Sequence, residues 1–351
     1  MEILPIVDEG LGNSSYVVGL GDGSAMVIDP FRDPSPYFAI ASERGWRLRF
    51  AAETHLHADF VSGSRELGAE GAQILASAGA PVEFGARLLE DNEEMHLGGL
   101  TLRALATPGH TPEHLAYLLL DGVSPVALFS GGTLIVGGVA RPDLLSPELT
   151  EPLARAAYRS VRKRILALPD GVGLYPTHGA GSFCSTGGGG ERTSTIGAER
   201  AASPLLQAES EDAFVQQLLG GLGSFPPYFL QLREVNQAGP RLYGQRPPAL
   251  AQLTVAQFDA VTAAGAEVID VRSIDEFSSG HVPESLSIAL RPQFATWLGW
   301  LVDRKRPIVF VADEGVDRSQ LVRSCLRIGF ERLTGELTGG AAAWSAAGRQ
   351  L

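Results

Sequence analysis

The chain of 351 residues carries a formal charge of −12, with 44% hydrophobic and 19% charged residues. It is long enough for two domains with separate cores and too apolar to be disordered. Its only lysines are Lys163 and Lys305, and the acidic balance argues against a nucleic-acid or anionic-membrane partner. Residues 1–8 lack the basic start and apolar stretch of a signal peptide, and no apolar run reaches membrane-spanning length. A cytoplasmic protein is therefore expected, in which Cys184 and Cys325 matter as thiols rather than as a disulfide.

In chain order, residues 11–20 and 25–29, separated by Gly21-Asp22-Gly23-Ser24, read as strand, turn, strand. A helix over 36–44 and a strand over 47–52 follow, then short apolar runs at 73–76, 100–106, 115–120, 125–129 and 172–175. Such short strands with occasional helices point to two packed sheets covered by helices. Leu149, Leu153, Ala156, Ala157, Val161, Ile165 and Leu168 fall mostly on one face of a helix over 147–168. Residues 181–190 read as a glycine-rich loop and 199–222 as another helix. Proline and turn residues at 225–229 and 236–240 mark a domain end and a linker. Beyond 253 the grammar changes: Thr254 caps a helix reaching Ala263, strands are expected at 268–272 and 307–311, and a helix at 292–303. That alternation implies a small parallel-sheet α/β domain. The expected organisation is a first domain over 1–235, a linker over 236–250 and a second domain over 251–351.

Chemistry concentrates in Glu53-Thr54-His55-Leu56-His57-Ala58-Asp59-Phe60, which places two imidazoles and a carboxylate at alternate positions on a strand-to-helix loop. His110 follows the 100–106 run through Thr107-Pro108-Gly109, and His178 follows the 172–175 run through Pro176-Thr177. Ligand-type residues on several strand-end loops converge on one rim of a sheet sandwich, which is how a fold builds a metal site from distant sequence. His114 reads as a cap of the turn at Thr111-Pro112-Glu113, and His96, before Leu97-Gly98-Gly99, as a surface residue.

ETHLHADFVSG, TPGHTPEHLAYLL, Ser130-Gly131-Gly132-Thr133, Gly138 to Asp143 and YPTHGAGS, in that order, resemble the motifs of the metallo-β-lactamase fold. Within that superfamily they are most similar to the iron-dependent persulfide dioxygenases, which convert a thiol persulfide and oxygen to sulfite and free thiol. The resemblance implies an αββα sandwich over roughly 1–235 and a metal held by His55 and His110. The family's third ligand, an aspartate, falls at Gly132. Either another group completes an altered iron site, or His57 joins His55 and His110 in a three-histidine site suited to Zn(II) hydrolysis of thioesters or esters, or the domain has become a metal-poor binding module. Where the relatives' loop geometry is preserved, restoring the acid by Gly132→Asp is expected to raise iron affinity; unchanged metal content would show that the loop has moved. In hydrolase relatives a histidine follows the motif aspartate and helps to hold a second metal; here that position is Phe60, so the resemblance implies a single divalent ion, Fe(II) first and Zn(II) as the alternative. Asp59 and His178 are expected to act at the site by fixing histidine tautomers. Arg141 is either the group that grips the carboxylates of a carrier such as glutathione persulfide or a structural partner of Asp143, and Cys184 either accepts or relays sulfur or is a buried inert thiol. A homodimer is a further expectation.

Residues 268–283, with Asp-Val-Arg at a strand end and Gly280-His281-Val282-Pro283 after it, resemble the rhodanese motif, and the match runs over about 250–351. A sulfurtransferase needs a nucleophilic cysteine on the loop after the 307–311 strand. That loop, 312–319, has none, and Asp313, Glu314 and Asp317 make it acidic. Leu321, Cys325 and Ile328 share a helical face and read as core. A catalytically silent rhodanese-like domain is expected.

Overall fold

A computed structural model describes residues 1–186 and 190–351; residues 187–189 of the expected glycine loop lie outside the described residues. Two compact units are present: Met1–Phe225 with Phe229–Leu242, and Pro226–Tyr228 with Tyr243–Leu351. The expected linker at 236–250 is therefore divided, because residues 236–242 cluster with the first unit.

The first unit opens with an edge strand that the sequence pattern missed, β1 (Glu2–Asp8), on which Pro5 is tolerated because an edge needs no second ladder. There follow β2 (Asn13–Gly19), β3 (Ser24–Ile28), α1 (Ser35–Arg44), β4 (Arg47–Ala52), α2 (Ser64–Ala69), β5 (Gln73–Ser77) and β6 (Arg87–Leu89). The second half supplies β7 (Glu94–Leu97), β8 (Leu100–Ala106), β9 (Leu115–Asp121), β10 (Ser124–Gly131), α3 (Pro147–Ser160), β11 (Gly173–Pro176), β12 (Ser194–Thr195), α4 (Ile196–Ala202), α5 (Glu211–Gly220) and α6 (Phe229–Ala238). The two six-stranded sheets run in the orders β1-β2-β3-β4-β5-β6 and β12-β11-β10-β9-β8-β7.

Strand alternation builds three apolar layers. Tyr16, Val18, Met26 and Ile28 meet Tyr117, Leu119 and Phe129 between the sheets. Their neighbours Val17, Ala25 and Val27 face Tyr37, Ala41 and Leu67 of the helices outside the first sheet. On the other side Ala116, Leu118 and Leu128 pack against Ala154, Ala157 and Phe214. Both faces of the central strands are buried, which is why they read as continuous apolar runs. The architecture is the expected αββα sandwich.

Two expected helices differ in detail. The one over 147–168 is α3 continued by a π-helical turn at Val161–Ile165. The one over 199–222 is interrupted: Pro204 has no amide hydrogen to continue α4, a 3₁₀ turn spans Pro204–Gln207, and Ser210 restarts the chain by accepting from the Ala213 amide at the head of α5.

The second unit holds β13 (Gln252–Leu253), α7 (Val255–Ala263), β14 (Glu267–Asp270), α8 (Ile274–Ser279), β15 (Leu286–Ser287), α9 (Phe294–Leu301), β16 (Ile308–Val311), α10 (Arg318–Arg327), β17 (Leu333–Leu337) and α11 (Gly340–Ala346). Its strands form an all-parallel sheet in the order β13-β17-β16-β14-β15. Thr254 caps α7 with a full capping box, as expected from sequence. Among the described residues no helix is long and apolar enough to cross a membrane.

Candidate metal centre

The site lies where β3, β4, β8, β10 and β11 end on one rim of the sandwich. Its organiser is Asp29, the residue after β3, which is fully buried with φ 47°. One carboxylate oxygen accepts from the Thr54 amide at 2.7 Å; the other accepts from the Thr54 hydroxyl at 2.7 Å and from the Thr177 hydroxyl. Each threonine immediately precedes a histidine, so one carboxylate sets the starting points of both His55 and His178.

Hydrogen-bond partners fix the tautomers. The Thr54 hydroxyl already donates to Asp29, so its oxygen accepts from His55 Nδ1 at 2.8 Å. The Arg141 carbonyl can only accept, so His110 Nδ1 donates to it at 2.6 Å. Asn13 donates its amide to Asp59 at 2.8 Å, leaving Asn13 Oδ1 at 3.2 Å and Asp59 Oδ2 at 3.3 Å as acceptors for His178 Nδ1. All three rings thus carry their proton on Nδ1 and turn an Nε2 lone pair inward. Candidate ligand atoms of His55, His110 and His178 lie within 4.8 Å of one another, and Nε2 of His55 is 3.3 Å from Nε2 of His178. Burial and the neighbouring imidazoles hold His55 and His110 well below the usual histidine range, so neither supplies a bridging proton. Two such lone pairs repel unless a proton or a metal ion lies between them. The donor set therefore fits one divalent ion, with the orienting partners on the far ring nitrogens that metal-binding histidines require.

His57 is not in this set; its candidate ligand atoms group instead with those of Asp29 and His55, and with those of Asp59 and His178. Its Nε2 is 3.2 Å from both Asp29 and Glu53. Burial works against charge on the ring, but the two carboxylates prevail and raise it to about 10, making His57 a buried imidazolium. Phe60 stacks on it with ring centroids 4.2 Å apart. The third inward imidazole is His178 instead, and Asp59 stands behind it.

His114, expected as a turn cap, is buried and stacked 5.0 Å from His55. Its Nε2 accepts from the Gly132 amide at 2.9 Å and its Nδ1 faces the Thr107 and Thr133 hydroxyls at 2.9 and 3.1 Å; burial pushes it down to about 3, so it is neutral. Gly132 does not leave an open ligand position. A Cβ there would lie 2.7 Å from His110 Cδ2 and 2.9 Å from Ala140 Cβ, so the ring and the loop have closed over the place of the missing acid. Gly132→Asp would displace a candidate ligand rather than add one, contrary to expectation. His96 is exposed, as expected.

For Arg141 and Cys184 the structure favours the structural alternative over substrate contact. The Arg141 guanidinium forms a bidentate pair with Asp143 at 2.7 and 2.8 Å, donates to the Phe183 and Gly223 carbonyls, and lies over the Phe225 ring. Four of its five N–H groups are spent inside the protein and the side chain is buried, which favours a structural role, and its backbone carbonyl holds His110. Cys184 is fully buried, and burial together with Asp59 raises its thiol well above the ordinary range, so it is not poised as a thiolate. Sequence reasoning missed Asp29, Asn13 and Asn236. The repeated Thr-His dipeptides at 54–55 and 177–178 were the available signal for Asp29.

The Metallo-beta-lactamase superfamily model matches residues 8–178, and a Rhodanese-like domain model matches 254–347. The mitochondrial persulfide dioxygenase of Homo sapiens is 32% identical over 214 residues, spanning 59% of this chain and 76% of that protein. The chain belongs to the metallo-beta-lactamase superfamily. Hydroxyacylglutathione hydrolase of Pseudomonas entomophila is 34% identical over 153 residues, 43% of this chain and 56% of that one. A crystal structure of a metallo-beta-lactamase from Staphylococcus aureus superposes with a TM-score of 0.84 at 29% identity, covering 95% of this chain and 98% of that one. Both a dioxygenase and a hydrolase are thus among this superfamily member's relatives.

In the rhodanese-like domain the first residue beyond β16 is Ala312, which has no nucleophile to offer. The loop after it wraps a cation of its own: one Arg318 nitrogen, Nη1, donates to the carbonyls of Asp313, Val316 and Glu314 at 2.5, 2.7 and 3.1 Å, while Nε pairs with Glu336 at 2.9 Å. Cys325 is buried in the core.

Proposed function

We propose that Nε2 of His55, His110 and His178 hold a single divalent ion, Fe(II) first, and that the centre oxidises a low-molecular-weight thiol persulfide such as glutathione persulfide. In the overall reaction RSSH, O₂ and H₂O give RSH, sulfite and two protons. The observation that carries this reading is the 3.3 Å approach of the His55 and His178 ring nitrogens, each with its proton committed on the other side of the ring. Phe60, stacked on His57, supports one ion rather than two. The persulfide dioxygenase relative, matched over three quarters of its length, supports the reaction.

When bound, Fe(II) supplies a Lewis acid for sulfur and electrons for oxygen. The protein's own groups do the rest. Thr54, the Arg141 carbonyl and the Asn13–Asp59 pair keep the three rings aimed. Burial of His55, His110 and His178 keeps bulk water from the reacting sulfur.

A second reading rests on the donor set: three imidazoles and no carboxylate suit Zn(II) with an open position for water, and hence hydrolysis of a thioester, as in the hydroxyacylglutathione hydrolase relatives. Oxygen uptake by protein loaded anaerobically with Fe(II) and given glutathione persulfide is the test. Uptake with stoichiometric sulfite is expected; no uptake at full iron occupancy, with turnover of a glutathione thioester by the zinc form, would replace the first reading by the second.

A further inference from the structure

Helix α6 lies beyond the stretch matched by the superfamily model, yet two of its side chains reach the backbone or an acid of both histidine loops. Asn236 is buried and spends its carboxamide on the loop that carries His55: Nδ2 donates to the His57 carbonyl at 2.7 Å and to the Phe60 carbonyl at 2.9 Å, while Oδ1 accepts from the Ser62 amide at 2.9 Å. Three residues earlier, on the same helical face, Arg233 donates to both oxygens of Glu113 at 2.7 and 3.0 Å. Glu113 belongs to the loop that carries His110, and its Oε1 also accepts from the Leu56 amide at 3.1 Å. One helix face thus ties together the two loops whose ring nitrogens must meet.

We infer that Asn236 and Arg233 are positioning residues of the metal centre, and that α6 sets the spacing between the His55 and His110 loops. This inference rests on the metal-centre reading above. Metal–nitrogen bonds tolerate only about 0.2 Å of error, so a loop that drifts by more than that loses a ligand. The carboxamide is chemically specific: an aspartate of the same shape would turn lone pairs toward two carbonyl oxygens and loosen the loop, while keeping only the bond from Ser62.

The test is titration of the metal-free full chain with Co(II), followed by visible absorption and equilibrium dialysis, beside thermal unfolding of each metal-free protein. Asn236→Asp is expected to weaken Co(II) binding roughly 10–100-fold, the usual cost of losing an orienting partner, and to shift the ligand-field bands. Arg233→Gln, which leaves the buried Glu113 carboxylate without its guanidinium and so lowers the unfolding temperature as well, is expected to move both metal readouts the same way by less. A purely structural role would lower the unfolding temperature and leave the bands in place. Wild-type affinity and spectrum in both variants, or in Arg233→Gln alone if Asn236→Asp does not fold, would overturn the inference. A wild-type chain that takes up no Co(II) would instead remove the metal-centre reading beneath it.

Discussion

The strand-end loops of the two units are organised around opposite charges. In the first unit, buried acceptors on the outer side of three rings draw their protons outward and leave lone pairs converging on one point, a cradle built for a cation from elsewhere. In the second, the carbonyls of the loop after β16 already surround the Arg318 guanidinium, and Glu336 completes its pairing. One loop set is preorganised and leaves donor valence unspent; the other has spent it internally. The contrast is between a loop set whose donor atoms stay unspent and one that has no nucleophile at Ala312 and turns its carbonyls onto Arg318.

The largest effect should come from emptying the first cradle. His178→Ala is expected to weaken metal binding by more than the roughly 10–100-fold that loss of an orienting group costs, read as metal content after dialysis; unchanged content would return His57 to the role of third ligand. Next is the organiser. Asp29→Asn leaves the His57 imidazolium with Glu53 as its one remaining buried partner and should cost about 3 kcal/mol, a fall in Tm of roughly 6–12 °C, seen in thermal unfolding of the metal-free chain. Gly132→Asp should overpack the site by ~1–3 kcal/mol and reduce metal content; a gain in iron affinity would show that the loop can reopen.

Smaller effects sharpen the second half of the comparison. Ala312→Cys is expected to leave thiosulfate:cyanide sulfurtransferase activity at background, because a thiol alone does not reverse the loop's polarity. Burial raises Asp313, with Glu276 and Asp270 adding to the effect of burial against Arg272. Its folded-state value therefore exceeds the unfolded one, so the folded domain takes up this proton first as the solution is acidified. Its contribution favours folding below the folded-state value and weakens as pH rises through it. Asp313→Asn should flatten that part of the pH–stability profile of the second unit, a small effect for a partly exposed group.

Much of the fold was legible because its signals are local. Continuous apolar runs such as 115–120 and 125–129 became the central strands, and Thr254 announced the start of α7. The histidines were legible as a group for the same reason, each standing just past an apolar run. What could not be read was which atoms would be free to bind. His57 and His178 look equivalent as residue types; Asp29 and Glu53 neutralise one by pairing, while Asn13 and Asp59 leave the other with an inward lone pair. Arg141 had the right chemistry for an anion contact, but its partners include the Gly223 carbonyl, 82 residues away. Asn236 sat in a stretch that resembled a linker, and its bonds to His57 and Phe60 span more than 170 residues. Such contacts depend on packing that periodicity does not encode.

The most direct measurement is the crystal structure of the metal-loaded full chain with an anomalous difference map at the metal edge. One peak about 2.1 Å from Nε2 of His55, His110 and His178, with His57 still paired to Asp29, is the predicted result. A peak coordinated by His57, or two peaks sharing Asp59, would contradict it.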